Sequence, residues 1–377
     1  MDFIDLKKQY QLIKPSVQKR ISDILDRAGF IMGKEISELE EKLGQYVGTK
    51  CCLTCSSGTD ALLLPLMAKG IGPGDAVFTT TFTFIATAEV ISLLGATPVF
   101  VDIDPKTYNI DPIKLHEEIV RVKSGKRVTK TFPSNLTPKA IIPVDLFGLC
   151  ADYETIGAVA KEFDLFVLED AAQSFGAEHK GKKACGFGNM AATSFFPAKP
   201  LGCYGDGGAV FLDDLEMFET LKSLRIHGQG ADKYENVRIG INGRMDTIQA
   251  AVLLAKMEIF DKEFQKRQNV AQRYAKALRE KFITPTIPQG YLSAWAQYSI
   301  QCENRDPVIA SLKKEGIPTA IYYPKPLHLQ KAFAYLGYEK GQFSVAEAIA
   351  ERIFSLPMHP YLEARDQEKI IAVLLDS

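Results

Sequence analysis

Leu165-Phe-Val-Leu-Glu-Asp-Ala-Ala-Gln-Ser174 is an apolar run that ends in two acids and then turns on small residues. Its length suits a strand buried on both faces, as in a parallel sheet, and its C-terminal end carries the polar groups. Similar short runs recur on either side: Cys51–Thr54, Ala76–Thr79, Thr97–Asp102, Ala140–Val144, Thr193–Phe196 and Gly208–Leu212. Helical patterns separate them, and such alternation predicts α/β crossover units with helices on both faces of a mostly parallel sheet. Residues 13–47 read as mainly helical, with Pro15 tolerable only in a first turn. Neither Gly nor Pro interrupts Ile248–Phe282, which predicts one long helix bridging two domains. Beyond it, Gln297–Cys302, Thr319–Tyr323 and Arg352–Leu356 read as strands or turns. The expected organisation is a large sheet domain over residues 1–250 and a smaller α+β domain over 251–377.

In such sheets ligands belong at the carboxyl ends of the strands. Ser56–Thr59, Phe84, Asp170 and Lys199 all fall at or just after predicted strand ends. Lys199 sits in Thr193-Ser-Phe-Phe-Pro-Ala-Lys-Pro-Leu-Gly-Cys-Tyr-Gly-Asp-Gly-Gly208, flanked by Phe195, Phe196, Pro197 and Pro200. Desolvation there lowers an amine's pKa and frees its nucleophilic form. A lysine of this kind facing a buried acid suits pyridoxal phosphate, whose aldehyde the amine captures and whose ring nitrogen the acid keeps protonated.

Each part also has a plainer reading. Ser56-Ser-Gly-Thr-Asp-Ala61 opens a helix after a strand, so Gly58 and Thr59 offer N–H groups to a phosphate, or the serines merely cap the helix. Asp170 is a pyridinium partner or one half of a structural ion pair. Gln173 can reach the phenolic oxygen of the same ring, and Phe84 covers the ring or belongs to the core. Gly186-Phe-Gly-Asn-Met-Ala191 has dinucleotide-binding glycine spacing, but a strand follows where a helix is required.

The 377 residues are 46% hydrophobic and 24% charged, with a net charge of −1, which gives no electrostatic case for nucleic acid or an anionic membrane. Seven cysteines argue against a disulfide framework, and Cys51, Cys52 and Cys55 have no partners at zinc-site spacing, so no metal is expected. The acidic start lacks the form of a signal peptide, and the most apolar stretch is broken by Gly95 and Pro98. A cytoplasmic, reduced protein is expected. Arg121–Lys130 is a basic insertion that reads as a solvated loop.

Taken together, these motifs resemble the nucleotide-sugar aminotransferases of the streptomycin and erythromycin pathways, within the fold-type I pyridoxal phosphate enzymes. The likeness runs from Phe3-Ile-Asp-Leu-Lys7 through Ser57-Gly-Thr-Asp-Ala-Leu62, Glu169–Ala177, the Lys199 motif, Arg225-Ile-His-Gly228 and Asn242-Gly-Arg-Met-Asp246 to Leu356-Pro-Met-His-Pro360. It implies that Lys199 is the Schiff-base lysine, Asp170 the pyridinium partner, Gln173 the phenolate contact and Phe84 the stacking ring. It further implies a phosphate cradle of Gly58, Thr59 and Ser194, with Asn242 reaching over from the other subunit of a homodimer with shared active sites. Glutamate, giving 2-oxoglutarate, is the implied amino donor. Phrases such as His227-Gly-Gln229 and Ala296-Gln-Tyr298 look most like the branch that aminates C3 of UDP-2-acetamido-2-deoxy-3-oxo-glucuronate for bacterial O-antigens. Arg244 and Tyr323 match substrate-side positions, whereas Tyr322 stands where relatives usually carry a substrate-holding histidine. Alternatives within the resemblance are a 4-keto-6-deoxy sugar aminotransferase and a non-catalytic regulator on the same fold; the related dehydratases carry histidine where this chain has Lys199.

Overall fold

A computed structural model describes residues 1–133 and 135–377. Its centre is a seven-stranded sheet of β1 (Cys51–Cys55), β2 (Asp75–Thr80), β3 (Thr97–Val101), β4 (Thr137–Ile142), β5 (Phe166–Asp170), β8 (Met190–Ser194) and β9 (Gly208–Leu212), in the order β1-β9-β8-β5-β4-β2-β3. The short strands β6 (Glu178–His179) and β7 (Lys182–Lys183) form a side hairpin joined by β10 (Tyr291–Leu292). Only β9 runs against its neighbours; the other adjacent pairs are parallel, as the alternation of runs predicts.

Helices cover the sheet: α1 (Leu6–Arg27), α2 (Lys34–Val47), α3 (Gly58–Ala68), α4 (Ala86–Leu93), α5 (Pro112–Lys123), α6 (Tyr153–Phe163), α7 (Leu215–Arg225) and α8 (Thr247–Met257). Separate cores lie on the two faces. Phe78, Phe100, Ile141 and Val167 belong to one, and Leu53, Val77, Leu168 and Val210 to the other. Each such side chain withdrawn from water contributes about 1.5–3 kcal/mol. Among the described residues no helix is long and apolar enough to cross a membrane.

Two expectations about helices need correction. Pro15 lies well inside α1, which begins at Leu6 and not near residue 13. Pro15 and the residue four before it, Gln11, are both exposed, so water can satisfy the carbonyl left without a donor. The stretch from Ile248 to Phe282 is two helices, because the chain bends after Met257 and resumes as α9 (Phe260–Leu278). The halves bury different surfaces. Ala250, Leu253 and Leu254 join the core under the sheet, whereas Val270, Tyr274 and Leu278 pack with Tyr298 and Phe354. A straight helix could not serve both.

The C-terminal elements are α9, β11 (Tyr298–Gln301), α10 (Arg305–Lys314), α11 (Ser344–Arg352), β12 (Ile353–Leu356) and α12 (Ala364–Asp376). Between α10 and α11 a loop returns to the sheet. Its Leu327 N–H donates to the Thr81 carbonyl at 2.7 Å, and His328 Nδ1 meets the Thr81 hydroxyl at 2.7 Å. Tyr322 and Tyr323 therefore hang from the end of β2. The basic segment after α5 is also tied down, since Thr129 donates to the Leu336 carbonyl at 2.5 Å and Val128 and Phe132 are buried.

Candidate active site

Asp170 is the last residue of β5 and is 3% exposed. It accepts from the Thr87 hydroxyl at 2.7 Å and from the Ala172 N–H at 3.1 Å. Burial pushes its carboxyl above the usual range; those two donors and the Lys199 charge only partly offset this. Lys199 lies in the loop between β8 and β9, its N–H bonded to the Phe196 carbonyl at 2.9 Å. Desolvation lowers its ammonium from the ordinary lysine value, and Asp170 pulls weakly the other way. Each group is thus biased toward its neutral form. Among the described residues Asp170 has no ion-pair partner at contact distance, so this buried acid is without a paired cation.

Gln173 is held in a fixed orientation. Its Oε1 accepts from the Phe147 N–H at 2.8 Å, and its Nε2 donates to the Tyr323 hydroxyl at 3.2 Å. Tyr323 lies edge-on to Phe82, with centroids 6.1 Å apart, and is tilted against Phe84 at 6.5 Å. Phe84 is 56% exposed, so it is not a core residue. Tyr322 packs on Phe3 with ring centroids 6.5 Å apart.

The β1–α3 turn is a capped helix start. Ser57 caps α3 by accepting from the Asp60 N–H at 3.1 Å, and Ser56 bonds to the Asp60 carboxylate. The N–H groups of Gly58 and Thr59 have no acceptor among the described residues and face outward from the helix start. A Cβ on Gly58 would stand 2.5 Å from the Ser194 Cβ, and one on Gly208 would stand 2.3 Å from the Ser57 carbonyl oxygen. Glycine at both positions lets three backbones close into one cradle. Asn242 and Arg244 flank it within the same chain, because the Ser56 N–H donates to the Gly243 carbonyl at 2.9 Å. The Asn242 side chain is exposed, and the Arg244 Nε is buried without an acceptor. The glycine-spaced segment after β7 is only a turn, whose Cys185 and Phe187 N–H groups donate to Glu169.

Sequence reasoning passed over Thr87, Phe82 and Phe3. The signal for Thr87 was a lone hydroxyl between two alanines in the first turn of α4, three residues after Phe84. Its partner, however, is 83 positions away, at Asp170.

A cofactor with a phosphate, a flat ring and a basic ring nitrogen matches these parts. The free N–H pair could receive an anion, the buried acid a protonated ring nitrogen, and the depressed amine an aldehyde. Pyridoxal phosphate has all three features and is the cofactor.

Comparison with known proteins agrees. A UDP-2-acetamido-2-deoxy-3-oxo-D-glucuronate aminotransferase of Pseudomonas aeruginosa is 47% identical over 377 residues, covering 99% of each chain. A Geobacillus stearothermophilus protein named a pleiotropic regulatory protein is 41% identical, across 98% of this chain and 96% of its own. The crystal structure of a DegT DnrJ EryC1 StrS aminotransferase from Brucella abortus superimposes with a TM-score of 0.95 at 51% identity, covering 100% of this chain and 99% of that one. The family's sequence profile matches residues 11–375, and the chain belongs to the DegT/DnrJ/EryC1/StrS aminotransferase family.

Proposed function

We propose that the protein transfers the amino group of glutamate to the C3 ketone of a UDP-linked 2-acetamido-3-oxo sugar, with the glucuronate derivative as substrate. The observation that carries the chemistry is the depressed, part-buried Lys199 amine set against the buried carboxyl of Asp170. The substrate is supported by full-length identity of 47% to an enzyme named for that ketone.

Bound pyridoxal phosphate supplies an aldehyde and an electron-accepting ring. In this reading Asp170 holds a proton at the ring nitrogen, with Thr87 and the Ala172 N–H orienting its oxygens. The N–H groups of Gly58 and Thr59, with Ser194, bind the phosphate, and Phe84 covers the ring. Gln173 contacts the phenolic oxygen. With the cofactor bound, Lys199 Nζ would take the proton from the donor's Cα and return it at the carbon that was the cofactor's aldehyde, a transfer open to a desolvated amine at neutral pH. Water would release the donor's carbon skeleton as 2-oxoglutarate while its nitrogen stays on the cofactor, and the same groups would act in reverse order on the ketone, returning the water. Arg244, Tyr322 and Tyr323 are the substrate-side residues.

The proposal includes a cytoplasmic homodimer in which Asn242 serves the partner's cradle. Its support is an apolar rim beside that residue: Phe30, Ile31 and Met32 are each more than 40% exposed, and Ile31 bridges to Asp246. The regulator reading is favoured by the name of the Geobacillus relative. Lys199 and Asp170, both retained and both shifted by burial, favour an enzyme instead.

The test is incubation of the holoenzyme with glutamate and a panel of 3-keto and 4-keto nucleotide sugars, read by mass spectrometry. Amination of the 3-oxo-glucuronate compound is expected. Turnover of 4-keto sugars alone would reject the substrate, and a protein that binds no cofactor would revive the regulator.

A further inference from the structure

Directly behind Asp170 lie two carboxyls that the proposed chemistry does not use. Asp145 and Glu169 are both 0% exposed, and their side chains lie close enough for each to perturb the other. Neither pairs with a lysine, arginine or histidine among the described residues. Only neutral donors surround them. Asp145 Oδ1 accepts from the Ala151 N–H at 2.9 Å and the Tyr153 hydroxyl at 2.8 Å, and its Oδ2 accepts from the Ser174 hydroxyl at 2.7 Å. Glu169 accepts from the Cys185 N–H at 2.7 Å and the Phe187 N–H at 2.6 Å. The Tyr153 and Phe187 rings stack at 4.7 Å and close the cluster from outside. The other titratable neighbours, Cys150 and Cys185, are thiols whose burial keeps them neutral.

Two ionised carboxylates this close, both withdrawn from solvent and surrounded by neutral donors, repel strongly. One of them must keep a proton. Asp145, with three donors already aimed at it, is the better anion. Glu169 accepts one N–H on each oxygen, so either oxygen has a position left to carry a proton. Burial raises both groups, and the charge of Asp145 raises Glu169 further.

The pair is wired to the catalytic turn at both ends. Glu169 and Asp170 are adjacent on β5, so their side chains leave opposite faces of the strand. The Asp145 N–H donates to the Asp170 carbonyl at 3.0 Å, and Ser174, which donates to Asp145, ends the turn that carries Gln173. We propose that Asp145 and Glu169 form a proton-sharing carboxyl pair, with the Glu169 O–H donated to Asp145, that positions Asp170 and Gln173 from behind the site. The inference depends on the aminotransferase reading only for what Asp170 and Gln173 do; the shared proton is a property of the fold.

The test uses the holoenzyme at pH 8, labelled with carboxyl-13C glutamate and read by infrared spectroscopy. A glutamic acid carbonyl stretch of the protonated form is expected, lost in Glu169→Gln and shifted in Asp145→Asn. Its absence from the unaltered enzyme, or its persistence in Glu169→Gln, would overturn the pairing whether or not the protein aminates sugars. Positioning is read separately. Glu169→Ala should move the pH midpoint of the bound cofactor's visible absorption by about one unit and lower kcat by about tenfold, with KM for glutamate within about threefold. Glu169→Gln, which still donates to Asp145, should recover most of both. An unmoved midpoint in Glu169→Ala would reduce the pair to a structural role. Should that variant fail to fold, the labelled band of the unaltered enzyme and of Glu169→Gln still decides the shared proton.

Discussion

The Thr87 hydroxyl donates to Oδ2 of Asp170 at 2.7 Å, from the first turn of α4 to the last residue of β5. It is the shortest polar contact that this buried acid makes, and it favours the ionised form against a burial that favours the neutral one. A hydrogen bond to a charged group contributes about 1.5–3 kcal/mol. Thr87→Val should therefore raise the Asp170 pKa further, weaken the hold on a protonated ring nitrogen and lower kcat at least about tenfold. Thr87→Ser keeps the donor and should stay close to the parent. Equal rates for all three proteins would take Thr87 out of the site.

Lys199 is tested by its own amine. Borohydride reduction of the holoenzyme followed by digestion should leave the pyridoxyl tag on the peptide containing Lys199. Lys199→Ala should fold and still bind cofactor through the Gly58–Thr59 cradle and Asp170, yet lose turnover by several orders of magnitude. A tag on another lysine, or near-normal rates in the variant, would show that the proton is moved elsewhere.

Much of this site was legible because the chemistry lies close to strand ends. An apolar run fixes where a strand stops, and the sheet's topology brings successive stops to one edge, so Ser56–Thr59, Asp170 and Lys199 could be grouped without coordinates. Local signals also sufficed for β9, whose bounds match Gly208–Leu212. They failed where tertiary packing decides. The Thr193–Phe196 run reads as a strand, but β8 spans Met190–Ser194, because Ala191 and Ala192 pair with Phe211 and Val210 while Phe195 turns into the core with Phe175. The bend between α8 and α9 has no Gly or Pro to announce it. Thr87, Phe3 and the Asp145–Glu169 pair join residues too far apart in the chain for any spacing rule to connect.

The cradle makes a prediction about glycine. Gly58→Ala would place a methyl 2.5 Å from the Ser194 Cβ and 2.9 Å from its Oγ, and Ser194 is held on β8. The β1–α3 turn must open, so cofactor affinity should fall about tenfold or more, as measured by spectral titration. Gly157→Ala is the control. Nothing lies within 4 Å of its added Cβ, and it sits exposed in α6. There the helix should gain about 0.5–1 kcal/mol with cofactor binding unchanged. Similar affinity losses in both variants would mean that Gly58 is not crowded by Ser194.

His359 should make the fold less stable in acid. It is 4% exposed, and burial, helped by the Arg267 charge, lowers its imidazole from 6.5 to about 4; Asp5 and Asp2 only partly oppose this. Below pH 6.5 the unfolded chain takes up a proton at this residue that the folded chain refuses. Protons are then bound preferentially by the unfolded state, so stability falls as pH drops from about 6.5 toward 4, by about 3 kcal/mol at the lower end. His328, likewise lowered by burial despite Glu347, adds a loss of the same sign in the same direction. Raised carboxyls such as Asp145 act oppositely, since the folded state holds their proton more tightly as pH falls toward 4. The histidine effect is isolated by comparing denaturant midpoints of the parent and His359→Gln at pH 7.5 and pH 5. The substitution should cost some packing at both pH values but flatten the drop between them. An equally steep drop in His359→Gln would assign the acid sensitivity to another group.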